Sequence, residues 1–423
     1  GAVAILCVVW WIFEPIPIPA TAIIPLAVFP LTGVLPQEKI AAAYGSELIL
    51  LMLGGFILSA AMERSGAHRR IALGMVNVIG GTSSRRIVLG FMAATAALSM
   101  WISNTATVLM MLPIALAVIT QSPDKKLAIP LLLAIAYGSS IGGLGTPIGT
   151  PPNLVFMQQY ESFTGTVVSF SQWMSWGLPV VLIFLPIAGL WLTRKLDYRG
   201  ELTIPPAGDW RPEEYRVLIV FGLTALAWIT RLEPFGGWST WLGLKGANDA
   251  IVALTAVVIL FLVPNGRGGK LIDWQTAERV PWGILILFAA GIAIAQAFVE
   301  SGLSRAIADQ LAVLASLHPL VMIATIALIV TFLTETTSNT ATTILLMPIL
   351  ASAALGAGID PALLMVPAAM SASCAFMLPV ATAPNAIVFS SGHVTVANMV
   401  REGLALNFIG VVVITLVCYF LVV

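Results

Sequence analysis

Long apolar runs, broken by short clusters of charged and turn-forming residues, recur along the whole chain. An α-helix needs about 20 such residues to cross a bilayer. On that pattern, spans are expected near 1–14, 18–35, 47–63, 127–144, 172–193, 215–231, 248–263, 282–299, 361–380 and 402–423. Two amphipathic connectors, 36–46 and 273–281, precede spans. Two further apolar stretches, 87–120 and 319–352, break the pattern, because each carries the polar word SNTAT near its middle (103–107 and 338–342). Each is too long for one crossing and too short for two with a loop, so each reads as a re-entrant hairpin of two short helices with SNT at the tip. A turn at membrane depth is tolerated only where it is buried in protein or lines a wet cavity.

Composition fixes the setting. Hydrophobic residues make up 59% of the chain and charged residues 9%, against about 45–50% and about 25% in a soluble domain. Mean hydropathy is +0.98. The fold class is therefore an all-α polytopic membrane protein. Net charge is zero and there is no basic tail, which argues against nucleic acid as a partner. Cys7, Cys374 and Cys418 all lie in apolar segments, where a thiol is a small core residue rather than half of a disulfide or a metal ligand.

Charge orients the spans. If both hairpins return to their own side, 16 of the 20 Lys and Arg fall on one face, in 64–86, 121–127, 194–216, 264–281 and 400–402. The other face keeps Lys39, Arg231, Lys245 and Arg305. Such a bias marks the richer face as cytoplasmic. The first hairpin then opens inward and the second outward.

The chain also repeats itself. Pro113 and Ile114 follow Asn104 as Pro348 and Ile349 follow Asn339; SGAHRRIA (65–72) returns as SGLSRAIA (301–308), and TPPN (150–153) as TAPN (382–385). The halves are 1–197 and 213–423, joined by a polar linker, 198–212, expected on the cytoplasmic side. The first half holds scaffold spans 1–63, hairpin 87–120, broken helix 127–168 and span 172–193. The second holds scaffold spans 215–299, hairpin 319–352, broken helix 361–399 and span 402–423. With five spans and one hairpin each, the halves are expected to be inverted repeats, an arrangement that in secondary transporters brings the polar elements to one midplane site.

The chemistry lies in four polar interruptions: the two SNT tips, GLGTPIGTPPN (143–153) and LPVATAPNAIV (378–388). Proline stops a helix and exposes half-helix ends. Their N–H groups suit an anion; their carbonyls, with Ser, Thr and Asn oxygens, suit a small cation. No Lys or Arg lies in 87–120, 127–160, 319–352 or 361–399, so an anion there would depend on helix dipoles and a co-bound cation. Two similar tips suit a substrate with two anionic ends. Glu335 is the lone acid in a hairpin, expected either to tune a cation site beside Thr334 or to hydrogen-bond the tip. An enzyme is excluded by chemistry: three scattered His, no HExxH and no acidic dyad. The glycine-rich 142–149 has no Lys after it and is no phosphate cradle. Trp10, Trp11, Trp173, Trp176, Trp238 and Trp241 stand near segment ends and read as interface anchors.

SMWISNTATVLMMLPIA (99–115), GGLGTPIGTPPN (142–153), TETTSNTATTILLMPI (334–349) and SCAFMLPVATAPNAIVFSSG (373–392) together resemble the divalent-anion:sodium symporter family, the bacterial relatives of the sodium–dicarboxylate and sodium–citrate carriers. The resemblance covers nearly the whole chain. It implies a homodimeric elevator transporter of the bacterial inner membrane that imports C4 dicarboxylates with sodium, with two or more sodium sites; a sodium-independent exchanger and a citrate symporter are the alternatives. Carried over by motif, one sodium site would use Ser99, Ser103, Asn104 and Gly149, and the other Thr334, Thr337, Asn339 and Ala381. Ser103, Asn104 and Thr105 would hold one substrate carboxylate and Ser338, Asn339 and Thr340 the other, with Thr382, Thr150, Pro151 and Ala383 beside them. Ala383 departs from the family's ATPPN, where a proline lines the pocket. The resemblance also implies a span before Gly1, and makes 36–46 and 273–281 the arms between fixed and moving domains.

Overall fold

The computed structural model describes residues 1–80, 83–200, 208–232, 236–244, 246–304, 306 and 318–422. The expectations for Lys245, Arg305, linker residues 201–207 and the end of the second SGLSRAIA word fall outside the described residues.

The described chain is helical, with no strand and only two isolated bridges, Ser83–Arg199 and Pro264–Lys270. The first helices are α1 (Ala2–Phe13), α2 (Ile18–Thr21), α3 (Ile24–Leu31), α4 (Gln37–Tyr44), α5 (Glu47–Ser65) and α6 (Ala67–Ile79). The first hairpin is α7 (Ser84–Ser99) and α8 (Asn104–Gln121). A broken helix, α9 (Ala128–Gly143) and α10 (Pro151–Thr164), leads into α11 (Phe170–Thr193). The second half starts with α12 (Pro212–Ile229), α13 (Gly237–Trp241), α14 (Asp249–Leu262), α15 (Trp274–Ala277) and α16 (Trp282–Glu300). The second hairpin is α17 (Pro319–Thr334) and α18 (Asn339–Gly356), followed by the broken pair α19 (Ala362–Ala372) and α20 (Ala383–Ser390), and by α21 (Val396–Leu421).

Several expected boundaries change. The run 18–35 is two short helices, because Pro17 and Pro25 each start a new one. Residues 396–399 belong to the last helix rather than to the broken helix 361–399, since Thr395 and Asn398 form a capping box there. The charged stretch 64–86 contains a helix, α6, with Ala67, Leu73 and Val76 buried. The segment 36–46 joins α3 to α5, which both precede the first hairpin, whereas α6 joins α5 directly to the hairpin helix α7.

Six helices among the described residues are long and apolar enough to cross a membrane: Gln37–Ser65, Asn104–Gln121, Phe170–Thr193, Trp282–Glu300, Asn339–Gly356 and Val396–Leu421. Two of these are hairpin arms, α8 and α18. The pieces of the broken helices are each shorter, as polar interruption requires.

Packing sorts the helices into two groups. In one, α5 packs on α14 and α12, and α16 packs on α2–α5. In the other, α7 packs on α9, α10 on α18, α17 on α19 and α21, and α20 on α8 and α9. The groups meet where α16 touches α10 and α18, where α1 touches α18 and where α11 touches α12, and α6 packs on α7 in one group and on α5 and α12 in the other.

The α5–α6 corner is bolted to the end of the linker. Gly66 turns it in the left-handed region, at φ 77°, and a Cβ there would lie 2.6 Å from Arg211 Nη2, which donates to Ser65 O at 2.8 Å. One turn on, buried Arg70 donates to Glu214 Oε2 at 2.8 Å, to Gly208 O at 2.8 Å and to Asp209 O at 2.5 Å, and lies over the Trp210 ring. Arg64 pairs with Asp273 at 2.5 Å. The Thr276 hydroxyl and amide, with Arg64 behind them, hold the Asp273 carboxyl below its usual range.

Arg70→Ala leaves the buried Glu214 carboxylate and two linker carbonyls without this partner. It is expected to lower the thermal unfolding midpoint in detergent by at least about 3 °C. Arg70→Lys is expected to restore little, because an ammonium cannot reproduce the guanidinium's fork. An unchanged midpoint in Arg70→Ala would show that the corner is held without this network.

Candidate functional site

Four helices begin around one cavity, and the four that precede them end behind its wall. Ser103 caps α8, Thr150 caps α10, Ser338 caps α18 and Thr382 caps α20. All four caps line a cavity of about 1000 Å³. Their helices therefore aim backbone N–H groups and the positive ends of their dipoles at the same space. The opposing set is made of C-termini. The last residues of α7, α9, α17 and α19 are Ser99, Gly143, Thr334 and Ala372, and carbonyl-rich ends of this kind favour a cation.

The C-terminal ends meet in pairs. In the first half Ser99 donates to Asn104 Oδ1 at 2.5 Å. A Cβ on Gly143 would lie 3.1 Å from Gly149 O and 3.2 Å from Asn104 Oδ1, so these oxygens surround a cradle that any side chain at 143 would fill. In the second half Thr334 donates to Asn339 Oδ1 at 2.7 Å and to Ala372 O at 2.9 Å. The spacing, five residues from hydroxyl to Asn, is the same in both.

Each broken-helix loop is tied by one buried asparagine. Asn153 Nδ2 donates to Gly143 O at 2.9 Å and Thr146 O at 2.8 Å. Asn385 Nδ2 donates to Ala375 O and Leu378 O, both at 3.0 Å. The sequence separations, ten and seven residues, are identical in the two loops. Both side chains are 0% exposed. Ser373 Oγ donates to Thr150 Oγ1 at 3.4 Å and joins one loop to the other.

Every candidate residue except Ser99 and Thr334 lines the cavity: Ser103, Asn104, Thr105, Gly149, Thr150, Pro151, Thr337, Ser338, Asn339, Thr340, Ala381, Thr382 and Ala383. Ser99 and Thr334 lie just beneath, fully buried and bonded to the tip asparagines. The Thr337 hydroxyl is engaged by Leu333 O at 2.9 Å and Thr342 Oγ1 at 2.6 Å.

Glu335 hydrogen-bonds the loop after α19. It is 3% exposed. Its carboxylate accepts from the amides of Phe376 (2.7 Å), Met377 (2.9 and 3.1 Å) and Leu378 (3.1 Å), and from Asn407 Nδ2 at 2.8 Å. In the first half the equivalent tie is uncharged, Thr146 Oγ1 donating to Met100 O.

Sequence reasoning missed several positioning residues. Asn153 and Asn385 stood in the quoted loops without a role; their recurrence after proline was the available signal. Asn407 gave no local signal. Trp173 was read as an interface anchor but is 0% exposed, because its Nε1 donates to Leu144 O at 3.0 Å and supplies the broken helix with a missing partner. Trp176 is buried as well.

Residues 8–368 match the citrate transporter family. The sodium-dependent dicarboxylate transporter SdcS of Staphylococcus saprophyticus is 42% identical over 447 residues, covering 100% of this chain and 85% of that protein. SdcS of Staphylococcus aureus is 40% identical over 446 residues, covering 99% and 85%. Among solved structures, the fold is similar to that of the Alcanivorax borkumensis YdaH transporter (TM-score 0.67, 14% identity, 99% of both chains). It is also similar to that of Neisseria gonorrhoeae MtrF (TM-score 0.63, 16% identity, 98% of this chain and 93% of that one).

The Asn clamps predict a stability effect separable from any ligand. Asn385→Asp keeps the shape but removes the two donors, leaving Ala375 O and Leu378 O unpaired against a buried carboxylate. Orphaning each carbonyl costs about 1–3 kcal/mol, so a clearly lowered unfolding midpoint in detergent is expected. Asn153→Asp should lower it comparably. Midpoints equal to the parent's would mean that the loops hold their shape without the clamps.

Proposed function

The chain belongs to the family of citrate and sodium-dependent dicarboxylate carriers, and from that premise we propose that it imports C4 dicarboxylates such as succinate, coupled to sodium, by an elevator-type movement. The protein is a membrane transporter and not an enzyme. The observation that carries the substrate reading is the convergence of four helix N-termini, capped by Ser103, Thr150, Ser338 and Thr382, on one cavity, with no Lys or Arg in the four segments that bear them. Fixed dipoles and hydroxyls bind carboxylates well enough to hold them but carry no full positive charge. The cations must then come with the cargo.

Sodium fits the C-terminal ends. Ser99 Oγ, Asn104 Oδ1 and Gly149 O stand around the Gly143 cradle, with Ser103 at the tip above them. Thr334 Oγ1 and Asn339 Oδ1 stand in the same relation in the second half, with Thr337 and Ala381 on the cavity side. In this reading each tip asparagine turns its side chain to a sodium ion and leaves the tip amides and hydroxyls of Ser103, Asn104 and Thr105, or of Ser338, Asn339 and Thr340, to a carboxylate. Filling the sodium sites lowers the cost of bringing the dianion in, which couples the two. Thr150, Pro151, Thr382 and Ala383 complete the wall; alanine at 383, in place of the family's proline, leaves room that a citrate-sized substrate would use.

The two halves are, in this proposal, inverted repeats. The group containing α7–α11 and α17–α21 carries the site, and the group containing α5, α12, α14 and α16 is the scaffold of a homodimer in the bacterial inner membrane, with the linker 198–212 in the cytoplasm. Arg64, Thr276 and Arg279 line the cavity on the face that the positive residues assign to the cytoplasm. The described conformation is then the inward-open one.

Radiolabelled succinate uptake into proteoliposomes tests the reading, with an inward Na⁺ gradient against an equal K⁺ gradient. Uptake only with Na⁺, rising more steeply than first order in it, is expected. Asn104→Ala and Asn339→Ala should each cut it at least about ten-fold. Equal uptake in both gradients, seen only after preloading with dicarboxylate, would overturn coupling and leave an exchanger.

A further inference from the structure

The two hairpin tips share a sequence but not a neighbourhood. Trp101, two residues before Ser103, is the base of an aromatic ladder. Its ring stacks on Phe170 at 6.1 Å and 15°, and Phe170 stacks on Trp228 at 4.8 Å and 10°. Phe221 meets Trp101 edge-on at 5.4 Å and 84°. Phe170 and Trp228 are 0% and 1% exposed. The position two residues before Ser338 is Thr336, an exposed residue on the cavity wall.

The ladder crosses between the two helix groups. Trp101 follows α7 and Phe170 starts α11, in the group that bears the site; Phe221 and Trp228 lie on α12, in the other. Its foot is polar and crosses as well. Buried Asp249, at the start of α14, pairs through Oδ1 with Arg231 Nε at 2.6 Å, and accepts through Oδ2 from the Phe170 amide at 3.3 Å. The Trp228 indole N–H donates to Asp249 O at 2.9 Å. Asp249 thus binds its own group with one carboxylate oxygen and the opposite group with the other. Any displacement of the groups must unstack Phe170 from Trp228, separate Trp101 from Phe221 and free the Asp249 oxygen.

We propose that this ladder and its Asp249 foot form a latch that seals the outer side of the site and holds the inward-open conformation, with Trp101 positioning the first tip through it. The inference rests on the transporter reading above, because it needs two conformations to choose between. Three observations carry it. The ladder spans both groups. It touches the tip that bears Ser103 and Asn104. It is formed with α12 near Arg231, on the face opposite the Arg64 and Arg279 end of the cavity. The second tip has Thr336 where the first has Trp101, so no matching ladder can form there to hold the other conformation, and the equilibrium is biased.

The test places a reporter, Thr336→Cys, on the second tip and labels it with a membrane-impermeant maleimide added outside intact cells. The native Cys7, Cys374 and Cys418 are at most 1% exposed and give little background. Slow labelling is expected in the parent. Trp228→Ala is expected to speed it roughly ten-fold or more, the size of a lost aromatic stack and its burial, and Trp228→Phe, which keeps a ring in the stack, should stay within about two-fold. Should Trp228→Ala fail to reach the membrane, Phe221→Ala, which loses only the edge contact, carries the same test with a smaller rise. Succinate uptake is measured in the same cells. Unchanged labelling in both variants, in cells that still take up succinate, overturns the latch. Labelling that responds to the variants in a parent that takes up no carboxylate keeps the latch and removes the substrate reading.

Discussion

A helix that stops inside a bilayer leaves amides and carbonyls with no water to bond, and every feature of this site follows from how those groups are satisfied. Each unmet group costs several kcal/mol in hydrocarbon. Asn153 and Asn385 answer the cost inside the broken helices, each giving two N–H donors to carbonyls that its own helix has abandoned. Trp173 meets a further carbonyl, that of Leu144, from a neighbouring helix. With the loop interiors tied in this way, the helix starts at Ser103, Thr150, Ser338 and Thr382 carry at most a single hydroxyl cap each. They remain free to face the cavity, which is what a site without side-chain cations requires.

The two halves solve the same problem with different chemistry where their surroundings differ. The loop after Gly143 is tied to the first tip by a neutral contact, Thr146 to Met100 O. The loop after Ala372 is tied to the second tip by Glu335, whose carboxylate gathers three successive backbone amides and the Asn407 side chain. The first tip gains its rigidity from another source, the rings against Trp101. One tip is held from within its own helix group and the other across the boundary between groups, so the symmetry written in the SNTAT words does not extend to the forces on them.

That difference explains what could be read from the chain beforehand. The tips, the breaks and the internal repeat are local patterns: Ser, Thr and Asn in an apolar run, proline after glycine, the same word twice. Each survives without knowledge of the fold. The helix α6 did not, because Arg69, Arg70, Arg85 and Arg86 made the stretch look like a loop; burying Arg70 depended on Glu214, 144 residues away. Trp173 was misread for the same reason, since an indole near a segment end is as suited to a headgroup as to the carbonyl of Leu144. The break within 18–35 was legible in its prolines and was passed over because the run is apolar throughout. The aromatic ladder and the Glu335 contacts are long-range, and no single stretch of sequence contains both partners of either; the Asn clamps are local, spanning seven and ten residues within their own loops.

The boundary between the helix groups has the texture that the proposed elevator movement needs. The helix α16, which meets α10 and α18, carries the buried small residues Ala289, Ala290, Gly291, Ala293, Ala295 and Ala297. A Cβ added at Gly291 would come within 3.0 Å of Ile344 on α18, so the surfaces approach closely without large side chains interlocking. A polar tie across this face is Gln159 Nε2 donating to Gly291 O at 3.0 Å. Small residues let helices pack by dispersion alone, and dispersion contacts re-form after a shift, whereas interdigitated side chains would have to be withdrawn first. The proposed latch lies at the α11–α12 edge, where Phe170, Trp228 and Asp249 meet. Under the proposed elevator movement, a smooth face with one sticky edge would make the change a matter of releasing a few named contacts rather than of repacking a core.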